Sequence, residues 1–212
     1  MERIVYREAR LDEYKLIGKV CADAFMNYPF LTVIKEDLKK PEYFPAFIEL
    51  LHTLLVKLYI KGETCLVAER DGEIIAVGLL QQKDFSMVSY LLNGIIKLFR
   101  YISPWKLMKY LDLVERSEQH LKKSGNFDWY LMILAVSPTV QGQGVGSHFL
   151  QNGIEPYVKA KGCKRLGLIT STQQNVFFYE KNEFVLLDSM VLDYGKQSVG
   201  NWAFLKTLDD ES

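Results

Sequence analysis

The stretch Trp129–Gly162, WYLMILAVSPTVQGQGVGSHFLQNGIEPYVKAKG, decides how the rest of the chain is read. Trp129 to Val136 is apolar, aromatic or β-branched throughout, the composition of a buried strand. Ser137-Pro138 ends that run, a Gln/Gly loop follows, and helical periodicity takes over. A strand fed through a glycine-rich turn onto a helix N-terminus is an anion-binding device. The first helical N–H groups have no intrahelical partner, and the macrodipole adds roughly half a positive charge. Gly142, Gly144 and Gly146 remove side chains that would hold a phosphate away from those amides.

Spacing separates the possible cradles. A dinucleotide fold needs Gly-x-Gly-x-x-Gly early in a βαβ unit, whereas these glycines fall as Gly-x-Gly-x-Gly. A Walker loop ends in Gly-Lys-Ser/Thr, and no Lys follows Gly146. What the residues match is Gln-x-x-Gly-x-Gly, as Gln141, Gly144 and Gly146, behind a strand ending in Val136 and Pro138. This arrangement resembles the GNAT superfamily of N-acetyltransferases, whose loop holds the pyrophosphate of coenzyme A. A tight strand-to-helix turn without a ligand is the bland alternative.

Size and composition agree with a soluble globular protein of one domain over 1–212, with 49% hydrophobic and 25% charged residues. Lys+Arg and Asp+Glu stand at 26 each, so no net positive field gathers nucleic acid or anionic lipid, and neither is expected as a partner. Cys21, Cys65 and Cys163 fit no metal or disulfide spacing and read as reduced, buried thiols, which with the lack of a signal-like opening predicts a cytoplasmic location. The most apolar window, Tyr90 to Leu107, is interrupted by Asn93, Gly94, Lys97, Arg100 and Pro104 and is not expected to span a membrane.

Taken in order, Ile4 to Arg7 reads as a short strand, and Leu16, Ile17, Val20, Cys21, Ala24 and Phe25 form one face of a helix. An irregular aromatic segment, Met26 to Phe30, follows. A second helix runs from Pro45 to Tyr59; His52 within it is expected to be packed or solvent-facing rather than a ligand. Cys65–Ala68 and Ile74–Leu80 flank Asp71-Gly72, a hairpin signal. Residues 85–127 form a helical insertion before the next strand. Helix 147–161 ends at Gly162, and Pro156 predicts a bend near Asn152-Gly153. Leu166–Thr170 is a parallel strand, Asn175 opens another helix, Phe184–Leu187 and Trp202–Leu208 are the last strands with a loop at Lys196–Gly200, and Asp209 to Ser212 are expected to fray.

The order β-α-α-β-β-β-α-β-α-β-β is that of the GNAT fold: an α/β fold with a mixed, strongly twisted central sheet, helices on both faces and here a helical insertion before the fourth strand. WYLMILAVSPTVQGQGVGSHFL followed by NVFFYEKNEF looks most like the puromycin-type and related small-amine branch. The resemblance implies acetyl transfer from acetyl-CoA to a primary amine of a small molecule by direct attack in a ternary complex, with no metal, in a monomer or homodimer. It places CoA on Gln141, Gly142, Gln143, Gly144, Val145, Gly146 and Ser147, the acyl oxygen on backbone of Leu134, Ala135 and Val136, pantetheine on Asn175, and the sulfur beside Tyr179. It also puts Met26–Phe30 at one wall of the acceptor pocket. Where the family carries Gly before the phenylalanine that starts the next strand, this chain has Glu183, and Asn182 is expected to take the left-handed conformation. Tyr179 would protonate the departing thiolate. Glu115, Glu118, His120 and Asp128 precede or open the strand; Glu118 and His120 are the candidate bases, with a water chain as the alternative. Tyr130 is expected on one strand face with Met132 and Leu134 near the acceptor, and His148 at the cofactor or on the helix surface. A CoA-binding module without turnover, or an enzyme acting on a protein or peptide amine, remain the rival readings.

Overall fold

The computed structural model describes residues 4–124 and 126–208, so the expected fraying of Asp209 to Ser212 lies outside it. Strand β1 (Val5–Glu8) leads into α1 (Tyr14–Phe25), a single turn α2 (Pro29–Thr32) and the long α3 (Phe44–Gly62). Strands β2 (Thr64–Arg70) and β3 (Glu73–Gln81) form the hairpin, with Asp71 at φ +53° and Gly72 at φ +82° as its two-residue turn requires. The insertion follows as α4 (Met87–Leu92), a 3-10 segment Ile95–Arg100 and α5 (Pro104–Ser124). Then come β4 (Trp129–Val136), α6 (Val145–Phe149), α7 (Glu155–Ala160), β5 (Arg165–Thr170), α8 (Gln173–Lys181), β6 (Val185–Tyr194) and β7 (Gln197–Thr207).

The strands make one seven-stranded sheet in the order β1-β2-β3-β4-β5-β7-β6. Among the described strands only β4 and β5 run parallel. One face packs on α6, α7 and α8 through Phe149, Leu150, Ile154, Val158 and Val176; the other packs on α1 and α3 through Ile17, Cys21, Val56 and Tyr59. Helix α5 lies across the β5–β7–β6 end of the sheet.

Several expectations are corrected. The buried face of α1 is Ile17, Gly18, Cys21 and Ala22, while Leu16 is 56% exposed. The helix turns this way because Gly18 meets α3 so closely that a Cβ there would lie 2.6 Å from the Thr53 backbone. The most apolar window is Pro41–Gly62, not 90–107; it has mean hydropathy 1.3, long and apolar enough to cross a membrane by length and composition, yet here it is packed on α1. The last two strands are longer than their apolar runs, and the connection shrinks from Lys196–Gly200 to Gly195-Lys196, because β6 is an edge strand whose alternate residues face solvent. The helix expected at 147–161 begins at Val145 and carries a π-helical turn, Leu150–Ile154, where the bend was expected. That wider turn feeds Pro156 into the first turn of α7, where its missing N–H leaves no broken bond. Gly162 closes it at φ +80°.

Asn182 does not take the left-handed conformation. Glu183 does, at φ +66°, while Asn182 is 1% exposed and donates through Nδ2 to Phe178 O at 2.8 Å and Ser147 Oγ at 3.0 Å. The family's glycine position thus keeps its backbone shape with a residue that has a Cβ, at a cost of about 1 kcal/mol.

His52, on α3, is 2% exposed, stacks on Phe25 and lies with Nδ1 2.8 Å from the Ile48 carbonyl oxygen. A carbonyl only accepts, so Nδ1 carries the proton and Nε2 keeps a lone pair. Burial pushes the imidazole pKa down from 6.5 to about 4.

Two stability predictions follow from these positions. Glu183→Gly should raise the urea-unfolding free energy by about 1 kcal/mol, even though it removes the 3.2 Å contact to Lys206, because Glu183 is 84% exposed; an unchanged or lower value would show that the left-handed backbone carries no strain. Below pH 6.5 the unfolded chain protonates His52 while the folded one does not until about pH 4, so the stabilisation from the neutral ring is complete above 6.5 and lost on acidification across that window. Wild type should therefore lose about 3 kcal/mol more than His52→Gln between pH 7 and pH 4; equal losses would contradict a buried, neutral imidazole.

Candidate active site

Strands β4 and β5 pair over only three residues, Trp129 with Leu166, Tyr130 with Gly167 and Leu131 with Leu168. Beyond that point β4 stays with β3 as far as Val136 opposite Ala76, and β5 stays with β7 as far as Thr170 opposite Trp202. The two parallel strands therefore part after Leu131 and leave one edge of each without a strand partner. The β3–β4 register slips at the same place: Leu80 faces Leu131 and Leu79 faces Ile133, which makes Met132 the extra residue of a bulge. The bulge reverses the side-chain alternation. Tyr130 and Leu134, expected on one face, separate: Leu134 and Val136 pack towards the α6 side, while Ile133 and Ala135 pack towards α1.

The loop after β4 takes its shape from two glycines. Gly142 at φ +78° and Gly144 at φ +77° hold left-handed conformations, and a Cβ on either would meet nothing within 4 Å. Gly146 has a different reason: a Cβ there would lie 3.2 Å from the Phe178 ring and 3.4 Å from Val136. The loop is pinned by Gln141 Nε2 donating to Val136 O at 3.0 Å and Gln143 Nε2 donating to Thr139 O at 3.4 Å. Gly144 caps α6, so the amides of Val145, Gly146 and Ser147 open the helix without intrahelical acceptors. Val145 is buried under the loop, and Ser147 is tied to Asn182 of the α8 C-terminus. His148 is exposed and bonds the Tyr6 hydroxyl. The cradle is thus open on its outer side and braced on its inner side, which fits a diphosphate.

Helix α8 is capped by Thr172, not Asn175: Thr172 Oγ1 accepts from Asn175 N at 3.2 Å. Asn175 Nδ2 donates to Thr170 Oγ1 at 2.9 Å, and Thr170 is also 3.3 Å from the Tyr28 hydroxyl, which accepts from Ser171 N at 2.7 Å. The end of β5, the start of α8 and the Met26–Phe30 segment are joined by this network. Tyr28 lies in the Met26–Phe30 segment expected at the pocket wall and does line a cavity there, whereas sequence reading missed its bond to Ser171 and the roles of Thr170 and Ser171; only Thr172, a Thr just before a helix, carried a recognisable signal. One turn on from Asn175, Tyr179 is 7% exposed among Phe178, Phe184 and Phe204. Burial raises its pKa well above the ordinary phenol value, so it keeps its proton at neutral pH.

The gap opens into a cavity of 180 Å³ lined by Met132, Leu134, Thr170, Asn175 and Tyr179 from the two strands and α8, and by Glu118, Tyr130 and side chains of the insertion. Glu118 projects from α5 into it, while Lys122 Nζ stands 3.1 Å from the carboxylate. Burial raises the Glu118 pKa, partly opposed by Lys122. The structure brings Glu118 and Tyr179 to one cavity but not His120. That imidazole bonds Asp188 of β6 and does not line the cavity, being two positions along α5 and therefore on another side of the helix. Asp128 is structural: its Oδ2 accepts from the amides of Lys164 and Arg165, each at 2.8 Å, and fixes the start of β5. Glu115 is exposed. Among the described residues no group of three or more His, Cys, Asp or Glu could hold a metal ion.

Residues 31–184 match the model of the Acetyltransferase (GNAT) family. No curated protein sequence matches the chain. Among solved structures, agmatine N-acetyltransferase in an apo mutant form is similar with TM-score 0.65 at 18% identity, covering 97% of this chain and 99% of that one. Drosophila melanogaster polyamine N-acetyltransferase gives TM-score 0.63 at 17% identity, covering 97% and 100%. The C-terminal condensation domain of Ebony, in complex with β-alanyl-dopamine, gives TM-score 0.69 at 9% identity, covering 98% and 100%. At such identities the likeness speaks for the fold. The family match, together with the parted strands and the glycine loop beside them, shows that the chain belongs to the GNAT family of acetyl-CoA-dependent acetyltransferases.

Proposed function

We propose that the chain moves an acetyl group from acetyl-CoA to the primary amine of a small molecule, by direct attack with both substrates bound. The observation that carries this reading is the parting of β4 and β5 immediately beside the loop, opening onto the cavity that Tyr179 and Glu118 share. Two structural neighbours that act on agmatine or polyamines support a small amine as acceptor. Motif likeness to the puromycin-type and related small-amine branch supports it further. The three cysteines, all free and buried, support a cytoplasmic location.

Acetyl-CoA supplies the activated acyl group. The amides of Val145, Gly146 and Ser147, with Gln143 and the open faces of Gly142 and Gly144, would bind its diphosphate. The unpaired edge of β4 from Met132 to Val136 offers backbone N–H to a carbonyl oxygen gaining negative charge, and Asn175 offers an amide at the neighbouring edge of β5. An ammonium is not a nucleophile, so a proton must leave it first. Glu118, a carboxylate whose pKa burial raises above its ordinary value, is the group in the cavity suited to accept that proton directly or through water. Tyr179 holds its own proton at the phenol oxygen and donates it, or a hydrogen bond, where a thiolate departs.

Tyr179→Phe keeps the ring packing and removes only the hydroxyl. Turnover measured by thiol release should fall at least about 10-fold while CoA affinity by calorimetry changes less than about 2-fold, the loss of a transition-state interaction alone. An unchanged rate would remove Tyr179 from the reaction.

A further inference from the structure

We propose that the acceptor is a singly charged amine on an apolar body, an arylalkylamine or alkylamine, held at its ammonium by the Glu118 corner of the cavity, and that polyamines and guanidino-amines are rejected. This inference rests on the acetyl-transfer reading above and narrows it.

Charge at the cavity carries the argument. Among the described residues lining it, Glu118 alone bears a charge. His52 also lines it but is neutral at pH 7, its pKa lying at about 4. Behind Glu118, Lys122 is shared by two carboxylates, Glu118 at 3.1 Å and Asp84 at 2.7 Å. With Glu115 also close enough to act on Glu118, the carboxylates outnumber the one ammonium group and leave this corner net negative, a place for the ammonium of a substrate. Most of the remaining wall is apolar, with Phe25 of α1, Phe30 of α2, Leu51 and Leu54 of α3 and Leu107 and Leu111 of α5, and its other polar side chains, such as Asn93, Tyr110 and Ser117, carry no charge. A second cation on the same molecule would lie against these side chains with no countercharge, and an unpaired buried charge is strongly disfavoured.

A second observation points independently to an occupant. Tyr130 is 3% exposed, lines the cavity, and its hydroxyl has no hydrogen-bond partner among the described residues. A buried hydroxyl left unpaired is unfavourable, and a polar occupant beside Glu118 removes that penalty. Tyr130 and Glu118 line the same cavity, so one polar occupant can meet both. Together they make a polar corner in an apolar chamber, the complement of an amine head on a hydrocarbon body.

The test uses the full chain with acetyl-CoA and compares thiol release from 2-phenylethylamine and hexylamine with that from agmatine, putrescine and spermidine at one pH and ionic strength. The expected result is a kcat/KM at least about 100-fold higher for the two monoamines. Agmatine or spermidine used as well as 2-phenylethylamine would overturn the inference while leaving acetyl transfer intact. Calorimetry of 2-phenylethylamine on the CoA-saturated chain separates the two claims. Binding of the monoamine but not of agmatine, without thiol release, would uphold the acceptor class and overturn turnover; no binding and no release with any amine would overturn both. In Glu118→Gln the KM for 2-phenylethylamine should rise at least about 10-fold while the neutral product N-acetyl-2-phenylethylamine binds as in wild type. Equal weakening of the charged and neutral ligands would show that Glu118 shapes the cavity without anchoring the cation.

Discussion

Three paired residues hold β4 and β5 together, and everything functional in this molecule depends on their not being joined by more. A sheet that continued its ladder past Leu131 would satisfy the backbone groups of Met132 to Val136 internally and close the route from the loop to the cavity. The bulge at Met132 sits at the point of separation and re-aims the strand just where the pairing ends. Neighbouring elements keep the strands apart without loss of rigidity. The β5 end is held by the Thr170, Asn175 and Tyr28 network, and the β4 end by Ser137 N donating to Ile75 O at 2.9 Å and by Gln141 on Val136 O.

The insertion converts that opening into a chamber. Without α4, the Ile95–Arg100 segment and α5, the cavity would lose Tyr90, Ile95, Leu98, Leu107, Leu111 and Glu118 from its wall. These residues bury Glu118, and that burial is what lifts its pKa. The same desolvation that makes the carboxylate a better proton acceptor makes the chamber hostile to a second charge. Reactivity and selectivity thus share one physical origin.

Much of this architecture was legible in the sequence because the signals were local. Asp71-Gly72 between two apolar runs announces its hairpin, and the glycines after Val136 announce the loop whatever the tertiary context. Pro156 announced a disturbance, though only the folded chain shows that the helix absorbs it as a π turn. What stayed hidden depends on partners far along the chain. The register slip at Met132 arises from β3, and it separates Tyr130 from Leu134 although strict alternation puts them together. Leu16 looked buried because periodicity cannot know that α3 approaches on the Gly18 side. Glu118 and His120 stand two positions apart with similar chemistry, and only the placement of β6, bringing Asp188 to His120, assigns them to different surroundings. Tyr28 was placed only as part of the Met26–Phe30 wall, since its bond to Ser171 comes from meeting the end of β5 across the fold.

The central claim is that the amides opening α6 and the free edge of β4 together form one binding surface for coenzyme A. An amide-resolved NMR titration of the 15N-labelled chain with CoA tests it most directly. The account predicts saturable shifts of the Gly144, Val145, Gly146 and Ser147 amides together with those of Met132 to Val136, all fitting one dissociation constant. Saturable binding whose shifts fall elsewhere, or loop amides that stay unmoved at saturating CoA, would contradict it.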